Sequence, residues 1–128
     1  MISLLLVDDD STFLETMSDR IQRRLPWRVV SATCVEAAEE CLSWTAFDML
    51  VTDLKMPGND GAALLQHAAA QHPQAIRVLM TGAGFDHRMA KALTWAHDCL
   101  VKPFDIRALA GALRRTQWRP PPNYGDRY

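Results

Sequence analysis

Short apolar runs alternate with stretches of helical spacing along nearly the whole chain, and each run stops at a polar or small residue. Residues 3–7 are rich in Leu and Val and end at Asp8, Asp9 and Asp10. Phe13, Met17, Ile21 and Leu25 then recur every four residues, with Leu14 beside them, as the buried stripe of a helix does. Thr12 and Glu15 have the spacing of a capping box at its start, and Pro26 closes it. Residues 27–33 read as a second strand and 35–44 as a second helix. Residues 47–52 form a third apolar run that ends at Asp53, followed by the turn-rich Pro57-Gly58-Asn59-Asp60-Gly61. A helix over 62–71, a strand over 75–81, a helix over 88–96, a strand over 99–101 and a last helical stripe through Ile106, Leu109, Ala110 and Leu113 complete the pattern.

Continuous apolar strands alternating with helices predict an α/β fold, a single parallel sheet covered on both faces. Right-handed crossovers leave few topologies, and the doubly wound, flavodoxin-like strand order 2-1-3-4-5 is the expected one. The 128 residues, 48% of them hydrophobic, suit one domain. The expected domain is 2–116, with 117–128 an extended tail or the start of a linker, because Pro120-Pro121-Pro122 cannot continue a helix.

The formal charge of −1 shows no basic excess, so no direct nucleic-acid binding is expected. Arg114, Arg115 and Arg119 lie near the end of the last helix, where cations suit the dipole. The first apolar run is too short for a signal peptide or a membrane span. Cys34, Cys41 and Cys99 are odd in number and lack metal-site spacing, which favours reduced thiols and a cytoplasmic setting.

In open α/β sheets, ligands bind beyond the carboxyl ends of the strands, where strand order reverses. In the order 2-1-3-4-5, that crevice receives Asp8 and Asp9 from strand one, Asp53 from strand three, Thr81 from strand four and Lys102 from strand five. Packed carboxylates repel one another, and a hard divalent cation such as Mg²⁺ relieves this. Asp53 can then act as a carboxylate nucleophile toward a phosphoryl group. Lys102 can pair with a phosphoryl oxygen, and Thr81 can donate a hydrogen bond to another. Any one of these residues alone would be an ordinary cap, strand end or solvated lysine. Asp10 is expected to be only a cap.

These residues, with the stretches around them, resemble the receiver domain of two-component response regulators. The matching pieces are Leu-Leu-Val-Asp8-Asp9-Asp10, the segment from Val51 to Gly61, Val78-Leu79-Met80-Thr81-Gly82 and Leu100-Val101-Lys102-Pro103-Phe104. The resemblance implies a phosphoacceptor role for Asp53, with Thr81 and Lys102 binding the phosphoryl group. It implies Mg²⁺ held by Asp9 and Asp53, with Asp8 acting through water and the backbone carbonyl of Lys55 adding an oxygen. It implies a histidine kinase or phosphotransfer protein as donor, a downstream output protein or fused output domain, and scope for a homodimer on phosphorylation. Such a domain is regulatory and catalyses only its own phosphorylation and dephosphorylation. The face of the fourth helix, fifth strand and fifth helix would change its partner affinity.

Two departures stand out. Cys99 occupies the position, three before the strand-five lysine, where the family usually has Tyr or Phe, and a thiol is too small to repeat that ring's inward swing. Gly82 follows Thr81 where Ala is common. Cys99 keeps open a second reading, a receiver-like interaction domain that works without phosphorylation. A flavodoxin-like electron carrier is opposed by Asp8-Asp9-Asp10, which would repel a cofactor phosphate, and a phosphatase lacks a second acid/base residue beside Asp53. His67 and His72 do not stack on one helix face. His97 is expected to be structural or solvated. Trp44 and Trp95 are expected in or near the core, and only sometimes serve as interface anchors.

Overall fold

The computed structural model describes residues 1–58, 60–82 and 87–116. The elements run β1 (Ile2–Val7), α1 (Ser11–Arg24), β2 (Trp27–Ala32), α2 (Val35–Trp44), β3 (Met49–Asp53), α3 (Gly61–Gln71), β4 (Ile76–Thr81), α4 (His87–Leu93), β5 (Asp98–Val101) and α5 (Ile106–Arg115). The strands form one sheet in the order β2-β1-β3-β4-β5, and every neighbouring pair is parallel. The expected tail, 117–128, lies outside the described residues.

Alternation along each strand sends side chains to two cores. Leu5, Val7, Leu50 and Leu79 pack with Ala38 and Leu42 of α2, Leu64, Leu65 and Ala68 of α3, and Ala92 of α4. Leu4, Leu6, Val51, Val78, Met80 and Leu100 face the other way, onto Leu14, Met17 and Ile21 of α1 and Leu109 and Ala112 of α5. The central strands are therefore apolar on both faces, which explains their unbroken runs of Leu, Val and Met.

Helix starts correct one expectation. The box from Thr12 to Glu15 is not the cap of α1; Asp10 is, its carboxylate accepting the Phe13 N–H at 3.1 Å. Asp60 and Asp105 cap α3 and α5 in the same way. All three carboxylates satisfy amides that the helix itself leaves unpaired. Cys34 serves α2, its Sγ accepting from Ala37 N at 3.4 Å. The fourth helix is shorter than its sequence suggests. It ends at Leu93, and Thr94, Trp95 and Ala96 continue it only with bonds to the third residue back.

His97 is structural. Its backbone N–H donates to the Arg77 carbonyl and its Nδ1 accepts the Arg77 N–H at 2.9 Å, stitching the entry of β5 to β4. The two tryptophans differ. Trp95 is half-buried against the core, whereas Trp44 at the end of α2 is 80% exposed.

Candidate functional site

Parallel strands all point their carboxyl ends the same way, so β1, β3, β4 and β5 deliver their terminal residues to one edge of the sheet. One carboxylate oxygen each from Asp8, Asp9 and Asp53 lies within 4.8 Å of the others. Asp8 is 1% exposed, Asp53 is half-buried and Asp9 faces solvent. Lys102 reaches in from the end of β5. Its Nζ sits 2.5 Å from Asp8 Oδ2 and 3.4 Å from Asp53 Oδ2.

Each acid is oriented by the backbone around it. Asp8 Oδ1 accepts the Asp10 N–H at 2.9 Å, which curls the chain into the cap of α1. Asp53 Oδ1 accepts the Leu54 N–H at 2.9 Å. Thr81 ends β4 and is buried, and its carbonyl accepts the Lys102 N–H at 2.8 Å, joining the phosphate-binding candidates of two strands. Lys55 lies two residues past Asp53 in the loop toward α3, with its side chain exposed.

Electrostatics separates the groups. Burial pushes the Asp53 carboxyl above its ordinary value; Lys102 opposes this and Asp8 adds to it. Burial alone would lower Lys102, but the hydrogen bond to Asp8 and the charges of Asp53 and Asp8 outweigh it and hold the ammonium above the usual lysine value. Lys102 is thus a fixed cation, and one cation faces three acids. The donor set is all oxygen and carries net negative charge, which fits a hard divalent ion such as Mg²⁺.

Two contacts were not legible from the motifs. Lys102 Nζ stands 4.7 Å from the centre of the Phe13 ring, and Phe104 meets that ring edge-on with centroids 6.3 Å apart. A cation over an aromatic face is held there by the ring quadrupole. The helical stripe of α1 marks Phe13 as a packing residue but gives no hint of the lysine. Gly61 is the second. A Cβ there would lie 2.1 Å from the Asp53 carbonyl oxygen, and the Gly61 N–H bonds to the Leu54 carbonyl at 2.8 Å. The start of α3 can press against the backbone of Asp53 only because this residue has no side chain.

Cys99 sits opposite Leu79 in the β4–β5 ladder and is half-buried against the core under α4. Burial, then the nearby Asp98 charge, pushes its thiol up, so it stays protonated. Val101, two residues on, is exposed.

Comparison with known proteins agrees with this architecture. The family model of the response regulator receiver domain matches residues 4–114. The response regulator protein FleR of Pseudomonas aeruginosa is 36% identical over 113 residues, covering 88% of this chain and 24% of FleR. The signal receiver domain of an HD domain-containing protein from Pseudomonas fluorescens superposes with a TM-score of 0.82 at 28% identity, over 91% of this chain and 94% of that one. A BeF3-activated DrrB receiver domain superposes with a TM-score of 0.77 at 25% identity, over 93% and 99%. The chain belongs to the response regulator receiver domain family. It is a regulatory domain of the two-component type, and it spans about a quarter of the length of FleR. Among the described residues no helix is long and apolar enough to cross a membrane.

Proposed function

We propose that this domain accepts a phosphoryl group on Asp53 in a Mg²⁺-dependent reaction and thereby changes its affinity for an output partner. The observation that carries the reading is the convergence of Asp8, Asp9 and Asp53 within 4.8 Å, with Lys102 bridging Asp8 and Asp53. Asp9 and Asp53 would hold the ion directly, Asp8 through water, and the Lys55 carbonyl would add an oxygen. When bound, Mg²⁺ supplies positive charge against the acids and the incoming phosphoryl oxygens.

The chain's own groups do the rest. The phosphoryl donor is a phosphohistidine on a kinase or phosphotransfer protein. An Asp53 carboxylate oxygen forms the new O–P bond as the donor's N–P bond breaks, and the leaving imidazole takes up a proton from solvent. Leu54 N–H fixes the carboxylate's orientation through Oδ1. Lys102 already bridges two carboxylates and can exchange one for a phosphoryl oxygen. The Thr81 hydroxyl supplies a further donor at the end of β4. The partner-affinity change is assigned to the face of α4, β5 and α5. There the Cys99 thiol takes the place of a swinging ring, so the switch works without that swing. That DrrB was trapped with BeF3, a phosphoryl mimic, supports the same chemistry here. The cytoplasm, where such donors occur, is the matching compartment.

The test is intact mass after incubation with Mg²⁺ and a small acyl phosphate, for wild type and Asp53→Asn. One added phosphoryl group is expected in wild type, and none in the variant or without Mg²⁺. A folded wild type that gains no adduct would overturn the proposal and favour an interaction domain that works without phosphorylation.

A further inference from the structure

Trp44 is the last residue of α2 and is 80% exposed, the largest apolar side chain so placed among the described residues. It forms one wall of a cavity of about 400 Å³ whose remaining apolar lining is Val30, Ala37, Cys41 and Phe47. Arg28 and Glu40 line the same hollow, one of each charge, and both are exposed. The patch lies on the outer side of β2, the strand at the opposite edge of the sheet from β5. It sits toward the end of α2 remote from the carboxylates, since α2 runs back from the carboxyl ends of the strands.

We infer that this α2–β2 face binds a second copy of the chain, with Trp44 of each copy seated in the hollow of the other. A contact between identical faces related by a two-fold axis must be complementary to itself. This patch carries the parts such a contact needs, because one small area holds an exposed ring, an apolar hollow and both signs of charge. An acidic or basic partner would select one sign. An apolar segment from another protein would need the hollow but would leave the protruding indole without a seat. Tryptophan at the centre of a contact with an arginine beside it is also the composition of interface hot spots. The inference is independent of phosphoryl transfer.

Sedimentation of the full chain, from about 5 to about 500 µM without Mg²⁺ or phosphoryl donor, tests it. A monomer–dimer equilibrium is expected, and Trp44→Ser should raise the dimer dissociation constant at least ten-fold (about the effect of losing one hot-spot residue). Circular dichroism and the acyl-phosphate mass shift should be unchanged in that variant, which shows that the fold and Asp53 are intact. Arg28→Glu should also weaken the dimer, and Arg28→Glu with Glu40→Arg should restore it. A chain that stays monomeric over the whole range overturns the inference. So does a dimer indifferent to Trp44→Ser, or a double charge reversal no tighter than the single one. Repeating the measurement with Asp53→Asn separates the two readings, because this dimer should persist when phosphoryl acceptance is lost.

Discussion

Replacing Gly61 by alanine adds a single methyl group at the most crowded backbone contact of the site. The new Cβ would stand 2.1 Å from the Asp53 carbonyl oxygen and 3.2 Å from the Leu54 Cα, where real Cβ atoms keep at least 3.0 Å. Backbone must therefore retreat by about 0.9 Å, and both partners are main chain, so no side chain can swing aside. Overpacking of this kind costs about 1–3 kcal/mol, and stretching the Gly61–Leu54 hydrogen bond adds up to about 1 kcal/mol. Alanine's better helix propensity returns about 0.5–1 kcal/mol at most, and less at the first residue of a helix. The net expectation is a loss of about 2 kcal/mol, or about 6–10 °C in Tm for a chain of this size. Thermal unfolding by circular dichroism reads the loss. Phosphoryl acceptance should slow as well, because the residue that moves is Asp53. Gly111→Ala in α5 is the internal control. Its added Cβ meets side-chain ends, of Arg115 at 2.9 Å and Arg114 at 3.6 Å, rather than backbone, so any loss should be much smaller than at Gly61. A Gly61→Ala protein as stable as wild type would refute the close-approach reasoning.

Lys102→Ala should lower stability by about 1–3 kcal/mol near neutral pH, because it leaves the buried Asp8 facing Asp53 without a cation; chemical denaturation checks this. Added Mg²⁺ should recover part of that loss, and a variant as stable as wild type without it would show that the bridge contributes nothing. Burial and then the Arg77 charge hold His97 below its ordinary value of 6.5, so the folded protein binds this proton less readily than the unfolded chain. Its contribution is thus complete above about pH 6.5 and is lost as pH falls through the lower folded value. Melting temperature should decline below that point, and His97→Gln should flatten the decline.

Much of this was legible in the sequence because strand ends in a parallel sheet share one edge. Asp8, Asp53, Thr81 and Lys102 each close an apolar run, so the order of strands sufficed to gather them. What escaped was tertiary or locally ambiguous. Asp10 is legible as a cap, but Thr12 and Glu15 offer competing capping spacing, and only the structure shows which of them takes the amide. The run from Arg88 to Ala96 has no strong stop signal, and the α-helix gives way after Leu93 to a tighter turn. Gly61 reads as one more turn residue until α3 is seen against β3. A structural His97 is legible as one of two options, but its partner Arg77, 20 residues away, is not. Trp44 would have been placed in the core by its size alone.

The Lys102–Asp8 pair joins residues 94 apart, the first strand to the last. Synthesis from the amino end therefore gathers the acids early and supplies their fixed cation late. A growing chain that has completed β3 holds Asp8, Asp9 and Asp53 but no Lys102. Until β5 is made, the repulsion among these acids lacks the cation that Lys102 supplies. A chain truncated before β5 would lack that charge and would also lose Leu100, Leu109 and Ala112, which close the second core, so the last strand and helix complete the site and the fold together.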